Sequence, residues 1–350
     1  MIEKDKATIE SRMATLDDER LAAGAEPARE PDLPIIDPHH HLWDFPSHRY
    51  LLEDILADTG SGHNIEQTVF LECAVFYRPD VSRDMRYVGE VEFANGVAAM
   101  AASGRYGSTK VAAGIVGRAD LATGAAVEEV LTAQIAAGCG RFKGIRHAAG
   151  WEDRTRGIHN SHTNPPPHLY RDDLKFREGF RKLGDLGLTF DAWLYHPQLG
   201  DLIDLARAFP EQPIVLNHVG GPLGLEYYAD RSEEVFATWK SSIVELAKCE
   251  NVTMKVGGMG MKLNGFGFEL RERAPSSDEL AEAWRPYVET CIEAYGADRC
   301  MFESNFPVDK ISGSYGNYWN AFKKLAAGAS PDEKAQLFKE TAKRFYTLND

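Results

Sequence analysis

The sequence predicts an α/β fold, a (β/α)8 TIM barrel that begins after an N-terminal extension. From Pro34 onward, eight short β-branched or apolar segments alternate with helix-patterned stretches. Such alternation implies parallel strands joined by right-handed crossovers. The eight units fill about 300 of the 350 residues, and a barrel needs roughly 250, more with insertions. An open doubly wound sheet is the rival fold. It places a glycine-rich phosphate loop after the first strand, and here histidines occupy that turn.

The strands are expected at 34–37, 67–73, 110–116, 142–146, 188–194, 213–217, 252–256 and 300–303. Helical patterning covers 82–103, 125–137, 172–186, 198–209, 232–249 and 277–295. A last helix is expected over 331–345, with Ser330 as N-cap and Pro331 at the first helical position. Residues 1–30 are polar and charged and read as an extension outside the core, with one helix over 8–21. Residues 31–350 form the barrel domain.

Barrel chemistry collects at the carboxyl ends of the strands. Strand one runs into Asp37-Pro38-His39-His40-His41. Alternation along an extended backbone puts His39 and His41 on one side and His40 on the other. Strand two ends in Glu72-Cys73, strand four in Arg146-His147, strand five in Tyr195-His196 and strand six in Asn217-His218. Strand seven carries Lys255, and strand eight ends Glu303-Ser304-Asn305 with Asp309 close behind. Six of the eleven histidines therefore fall at strand ends.

His39, His41 and His196 can supply three imidazoles to a divalent metal, zinc by ligand type, with open positions for water and substrate. His218 can then move a proton. Arg146 has two readings, a fork for a substrate carboxylate or a structural ion pair under the loops. Lys255, Tyr195 and Glu72 join it as substrate-binding candidates. The long segment from Trp151 to His168, with its Pro165-Pro166-Pro167 run, is either a stiff lid or a surface excursion. His159, His162 and His168 lack strand-end placement and stay outside the expected site.

Composition narrows the partners. The net charge of −14 disfavours nucleic acid or an anionic membrane as main partner. No apolar run approaches the roughly 18–20 residues of a bilayer span, and the charged first ten residues show no secretory signal. Five scattered cysteines, odd in number and without CxxC spacing, suit reduced thiols in the cytoplasm. A small-molecule substrate is the expected partner.

Three segments carry a resemblance: Asp-Pro-His-His-His-Leu-Trp-Asp (37–44), Val-Leu-Asn-His-Val-Gly-Gly-Pro (215–222) and Met-Phe-Glu-Ser-Asn-Phe-Pro-Val (301–308). They resemble signature segments of the amidohydrolase-related TIM-barrel hydrolases. The branch is that of sugar-acid and aromatic-pathway lactonases, including enzymes similar to 2-pyrone-4,6-dicarboxylate lactonase. The likeness runs from about Pro34 to the C-terminus. It implies hydrolysis at the barrel mouth and, with the chain's size, a homo-oligomer. His39 and His41 match the family's first-strand H-x-H, His196 its fifth-strand His and His218 its sixth-strand His. Relatives more often carry Gly-Ser-Asp-Trp-Pro at strand eight, where this chain reads Glu303-Ser304-Asn305-Phe306-Pro307. Asn305 cannot accept a proton. Glu303 or Asp309 takes over as base, or Asn305 positions water while His218 or a metal acts; the family holds both metal-dependent and metal-independent members. The expected function is ring-opening hydrolysis of a small carboxylated lactone. The alternatives are metal-assisted non-oxidative decarboxylation of an aromatic or unsaturated acid, or ligand binding without turnover.

Overall fold

The computed structural model describes residues 16–46 and 48–349. Eight strands pair in chain order: β1 (Pro34–His40), β2 (Asn64–Leu71), β3 (Lys110–Arg118), β4 (Phe142–Arg146), β5 (Thr189–Ala192), β6 (Ile214–Leu216), β7 (Val252–Gly257) and β8 (Cys300–Glu303). Every neighbouring pair is parallel. A parallel bridge between His40 and Phe306 brings the two ends together. The His41 amide donates to the Phe306 carbonyl at 2.8 Å, and the Asn305 amide to the His39 carbonyl at 3.0 Å. Asp37 locks the seam, its Oδ1 accepting the Ser304 amide at 3.0 Å and its Oδ2 the Ser304 hydroxyl at 2.6 Å. The expected (β/α)8 barrel is present.

A helix follows each strand: α1 (Leu52–Thr59), α2 (Val88–Ala102), α3 (Val127–Ala137), α4 (Leu174–Asp185), α5 (Leu199–Ala208), α6 (Ser232–Leu246), α7 (Ser277–Tyr295) and α8 (Tyr315–Leu325). Helices α1 and α8 escape the sequence reading. So does a small antiparallel hairpin, Trp43–Phe45 with His48–Tyr50, that lies between β1 and α1. Ser276 starts α7 through a capping box with Glu279. Ser330 does the same with Glu333 for the C-terminal helical run, with Pro331 in its first turn as expected.

Strand β5 is shorter than expected, because Trp193 to Tyr195 already leave the sheet before the short 3-10 turn His196–Gln198. Strand β2 starts earlier and stops at Leu71, so Glu72 lies just past its end. Most of the expected helix over 8–21 lies outside the described residues; a short helix, Asp18–Ala23, stands at its end. The extension is tied to the barrel there. Glu26 accepts the Ser277 amide at 2.7 Å, and Asn317 donates to the Gly24 carbonyl at 2.7 Å.

The C-terminal segment closes the floor. Ala342, Tyr346 and Leu348 pack with Ile36, Val69, Leu71, Val116, Val215 and Met301 in one buried apolar cluster. The described cysteines are all free, and only Cys139 is exposed. Cys73 packs with its thiol 3.3 Å from the Leu42 carbonyl. Among the described residues no helix is long and apolar enough to cross a membrane.

Candidate active site

The carboxyl ends of β1, β2, β4, β6, β7 and β8 bring seven ionisable side chains together, each at most 5% exposed: His39, His41, Glu72, Arg146, His218, Lys255 and Glu303. Burial at that level demands partners, and the partners define the site.

His39 is the hub. Its Nδ1 lies 2.8 Å from Glu303 Oε2 and 3.3 Å from Lys255 Nζ. Its Nε2 lies 3.3 Å from both His41 Nε2 and Arg146 Nη1. Burial first, then the charges of Lys255, His218, His41 and Arg146, hold its imidazolium pKa well below the ordinary range. His41 is held neutral mainly by burial as well. Its Nδ1 is 2.9 Å from the Leu71 carbonyl. A carbonyl only accepts, so the ring proton sits on Nδ1 and Nε2 keeps its lone pair toward His39. His40 turns the other way, its Nε2 2.9 Å from Thr68 Oγ1, and burial lowers it to about 3.

Two buried cations are neutralised locally. Arg146 donates from Nε to Glu72 Oε1 at 2.8 Å and from Nη2 to the Glu72 carbonyl at 2.6 Å. Of its two readings, the ion pair is the one the structure displays. Burial alone would raise the Glu72 carboxyl, but Arg146, His162 and Arg118 outweigh it and hold the group ionised. Lys255 donates to Asp191 Oδ1 at 2.8 Å. Asp191 also accepts from Asn217 Nδ2 at 2.9 Å and from the Tyr346 hydroxyl at 2.8 Å. Sequence reasoning missed Asp191. All four residues of β5 are buried, so no alternation marked its side chain as functional.

With Arg146 matched to Glu72 and Lys255 to Asp191, Glu303 is the carboxylate left over among neutral imidazoles. Its Oε1 is 2.7 Å from His218 Nδ1 and accepts the His218 amide at 3.0 Å. Backbone geometry makes that approach possible. His218 adopts φ +55°, a conformation rare outside glycine and characteristic of strained functional positions. Gly258 follows β7 at φ +65°, and a Cβ there would stand 2.3 Å from His218 Nδ1. The Gly257-Gly258 pair at the end of β7 thus lets the chain close on Glu303 and His218.

The other expected residues fall elsewhere. His196 is not brought together with His39 and His41. It lies past the end of β5, its Nδ1 3.2 Å from the Leu223 amide and its ring edge-on to Tyr228. Tyr195 donates to the His159 carbonyl at 2.6 Å and so ties down the loop after β4. Asn305, at φ +56°, turns its side chain along the wall and donates from Nδ2 to Asp309 Oδ1 at 2.7 Å. Asp309 Oδ2 accepts the Gly260 amide at 2.7 Å. Burial pushes the Asp309 carboxyl well up, so this pair braces the β7 and β8 loops against each other.

Part of the loop after β4 folds back onto the barrel mouth, while residues 153–155 and 166–168 stay exposed. The Ser161 amide donates to the Gly150 carbonyl and the Thr163 hydroxyl to the Ala148 carbonyl, both at 2.7 Å. Between them, His162 Nε2 comes within 3.3 Å of Glu72 Oε2. His162 lacks strand-end placement, yet the loop carries it to Glu72.

Among the described residues, one group of metal-ligating type has its donor atoms within 4.8 Å of one another: His39, His218 and Glu303. Glu303 Oε2 is buried, with the His39 Nδ1 ion-pair contact at 2.8 Å and no aligned hydrogen bond. A surplus buried carboxylate beside two imidazoles, with the His41 lone pair aimed at His39, fits a divalent cation. The donor atoms that the fold brings together are those of His39, His218 and Glu303, whereas the expected set was His39, His41 and His196.

The family described as Amidohydrolase matches residues 36–348. The chain is 33% identical over 342 residues to an uncharacterized protein, y4mH, of Sinorhizobium fredii, covering 91% of this chain and 99% of that one. It is 30% identical over 166 residues to an L-fucono-1,5-lactonase of Burkholderia ambifaria, covering 46% of this chain and 51% of that one. A crystal structure of an amidohydrolase from Burkholderia multivorans with bound zinc superposes with a TM-score of 0.68 at 20% identity. That alignment covers 90% of this chain and 99% of the other, and at this identity it speaks for the fold. With the family match spanning nearly the whole barrel, the chain belongs to the amidohydrolase family.

Proposed function

We propose that this enzyme is a lactonase that opens a small lactone ring with water at the barrel mouth. The observation that carries the reading is the His218–Glu303 pair, a buried carboxylate 2.7 Å from the imidazole of a strand-end histidine. Its support from relatives is the lactonase name borne by the Burkholderia proteins.

Glu303 accepts the Nδ1 proton of His218 and so leaves Nε2 as the basic atom. His218 Nε2 takes a proton from water as the water oxygen attacks the ring carbonyl. The carbonyl–oxygen ring bond then breaks, and the same proton returns to the departing alkoxide. Arg146 and Lys255, although paired with Glu72 and Asp191, each keep a donor nitrogen 3.3 Å from His39 and can turn an N–H toward the oxygen that gains charge in the transition state. A divalent ion, zinc by ligand type, would be held by His39 and Glu303, leaving His218 Nε2 free as the base, and would supply Lewis-acid polarisation of the carbonyl. Because Glu72 already neutralises Arg146, the arrangement does not call for a carboxylate on the lactone.

A panel of five- and six-membered lactones offered to purified enzyme should release acid, read with a pH indicator. Carbon dioxide release from an aromatic acid, or ammonia from an amide, with every lactone inert, would overturn the reading. Elemental analysis of protein purified without added metal should find close to one zinc per chain. Full activity after exhaustive chelation would remove the metal from the proposal and leave the His218–Glu303 chemistry.

A further inference from the structure

The Glu72–His162 contact is not used by the chemistry above. Glu72 Oε2 and His162 Nε2 face each other at 3.3 Å as an ion pair, yet the contact is too poorly aligned to satisfy either atom, and both atoms are buried. Glu72 is fixed by two bonds from Arg146 on its other side. His162 is fixed by the bonds of Ser161 and Thr163 that bracket it in the chain, and the adjoining His159 carbonyl is held by Tyr195. An acceptor and a ring nitrogen are thus both held in place and both left with hydrogen-bonding capacity at one spot. Each atom is only partly satisfied by the other. A hydroxyl group placed against both completes their hydrogen bonding. It donates to the carboxylate and accepts from the imidazole N–H.

We infer that Glu72 and His162 form a subsite for one hydroxyl group of the substrate, built by β2 and the loop after β4. Its position follows from Arg146. That guanidinium touches Glu72 with Nε and His39 with Nη1, so the subsite lies one guanidinium's width from the hub of the catalytic group. The hydroxyl it reads is close to the reacting carbonyl. The inference rests on the lactonase reading for the identity of the reacting group, and on these two partly satisfied atoms alone for the hydroxyl. In this arrangement Glu72 and His162 set specificity, while His218 and Glu303 move protons.

The test uses wild type, His162→Leu and His162→Gln with a six-membered sugar lactone and its single-deoxy counterparts. Turnover and the ligand-induced shift in melting temperature are measured on the same preparations. In wild type, removal of one particular hydroxyl should lower kcat/KM about tenfold or more, as expected when a site built for a hydroxyl loses it. In His162→Leu that ratio should fall to about one. His162→Gln, which keeps a donor at similar reach, should retain part of it. An unchanged ratio in His162→Leu, or an equal slowing of every lactone, overturns the subsite and makes His162 a loop anchor. If no lactone turns over but the melting shift still depends on one hydroxyl and on His162, the lactonase reading fails and the subsite stands. If wild type shows no hydroxyl-dependent turnover or binding, the subsite fails.

Discussion

Two of the histidine–carboxylate pairs at the mouth of this barrel are held by different kinds of structure. His218 and Glu303 lie at the ends of β6 and β8, two strands of one parallel sheet, and share both a side-chain and a main-chain contact. Glu72 and His162 join a strand end to the middle of a long loop, with an ion-pair contact too poorly aligned to satisfy either atom. The first pair has its geometry imposed by the sheet, as proton transfer requires. The second has capacity to spare, which suits reading a ligand. The contrast predicts that losing the strand pair slows every substrate alike, whereas losing the loop pair changes the choice among substrates.

The largest effect should come from Glu303→Gln. The amide keeps the shape of the carboxylate but no longer fixes the His218 proton, so kcat/KM should drop by about 10²–10⁴. The loss should be the same for a hydroxylated lactone and its deoxy counterpart. A Glu303→Gln enzyme within a few-fold of wild type would remove the functional distinction between the pairs. Next in size is Lys255→Met, which leaves Asp191 ionised and buried without its cation. Breaking such a pair on one side costs about 3–5 kcal/mol, measured by urea unfolding. The double variant Lys255→Met with Asp191→Asn should recover much of that loss. If the single variant unfolds at the wild-type midpoint, Asp191 is neutralised by some other group and the charge balance around Glu303 must be redrawn.

The same contrast explains what was legible in the sequence. His39, His41, Arg146, His218, Lys255 and Glu303 sit where a barrel strand delivers its last residues, so strand recognition was enough to place them. His196 was misplaced because β5 stops at Ala192, short of the apolar run that suggested it. Asp191 sits within β5, where uniform burial hides the direction of a side chain. His162 depends on a loop path set by main-chain bonds such as Ser161 to Gly150, and no periodicity announces those. Asn305 stands at the expected strand-eight position, yet its left-handed backbone turns its amide toward Asp309. Strand-end positions were readable, the strained His218 included, whereas the loop-borne His162 and the inward side chain of Asp191 were not.

A medium effect should follow from Gly258→Ala. Its φ of +65° already strains any other residue, and the new methyl would meet His218 Nδ1 at 2.3 Å. Stability should fall by about 1–3 kcal/mol, with kcat/KM lowered by the displaced imidazole. Gly267→Ala is the control, since its φ is +67° and nothing lies within 4 Å of its Cβ position. It should show backbone strain of about 1 kcal/mol with activity intact. Equal activity losses at both positions would mean that loop stiffness, and not contact with His218, sustains the strand pair.

The smallest effect tests how far down the barrel the strand-held side extends. Tyr346 rises from the floor and donates to both oxygens of Asp191, at 2.8 and 3.0 Å. Asp191 in turn holds Lys255 at 3.3 Å from His39. Tyr346→Phe keeps the packing of the floor and removes one hydrogen bond to a charged group, a loss of about 1.5–3 kcal/mol at most. Asp191 keeps Asn217 and Lys255 as donors, which places the expected loss near the lower end of that range. The activity readout separates support from mere packing. If Tyr346 positions Lys255 through Asp191, kcat should fall a few-fold with KM unchanged, because the residue touches no substrate. A rise in KM with kcat intact would place its influence on ligand binding, and the continuity argued here between floor and mouth would be broken.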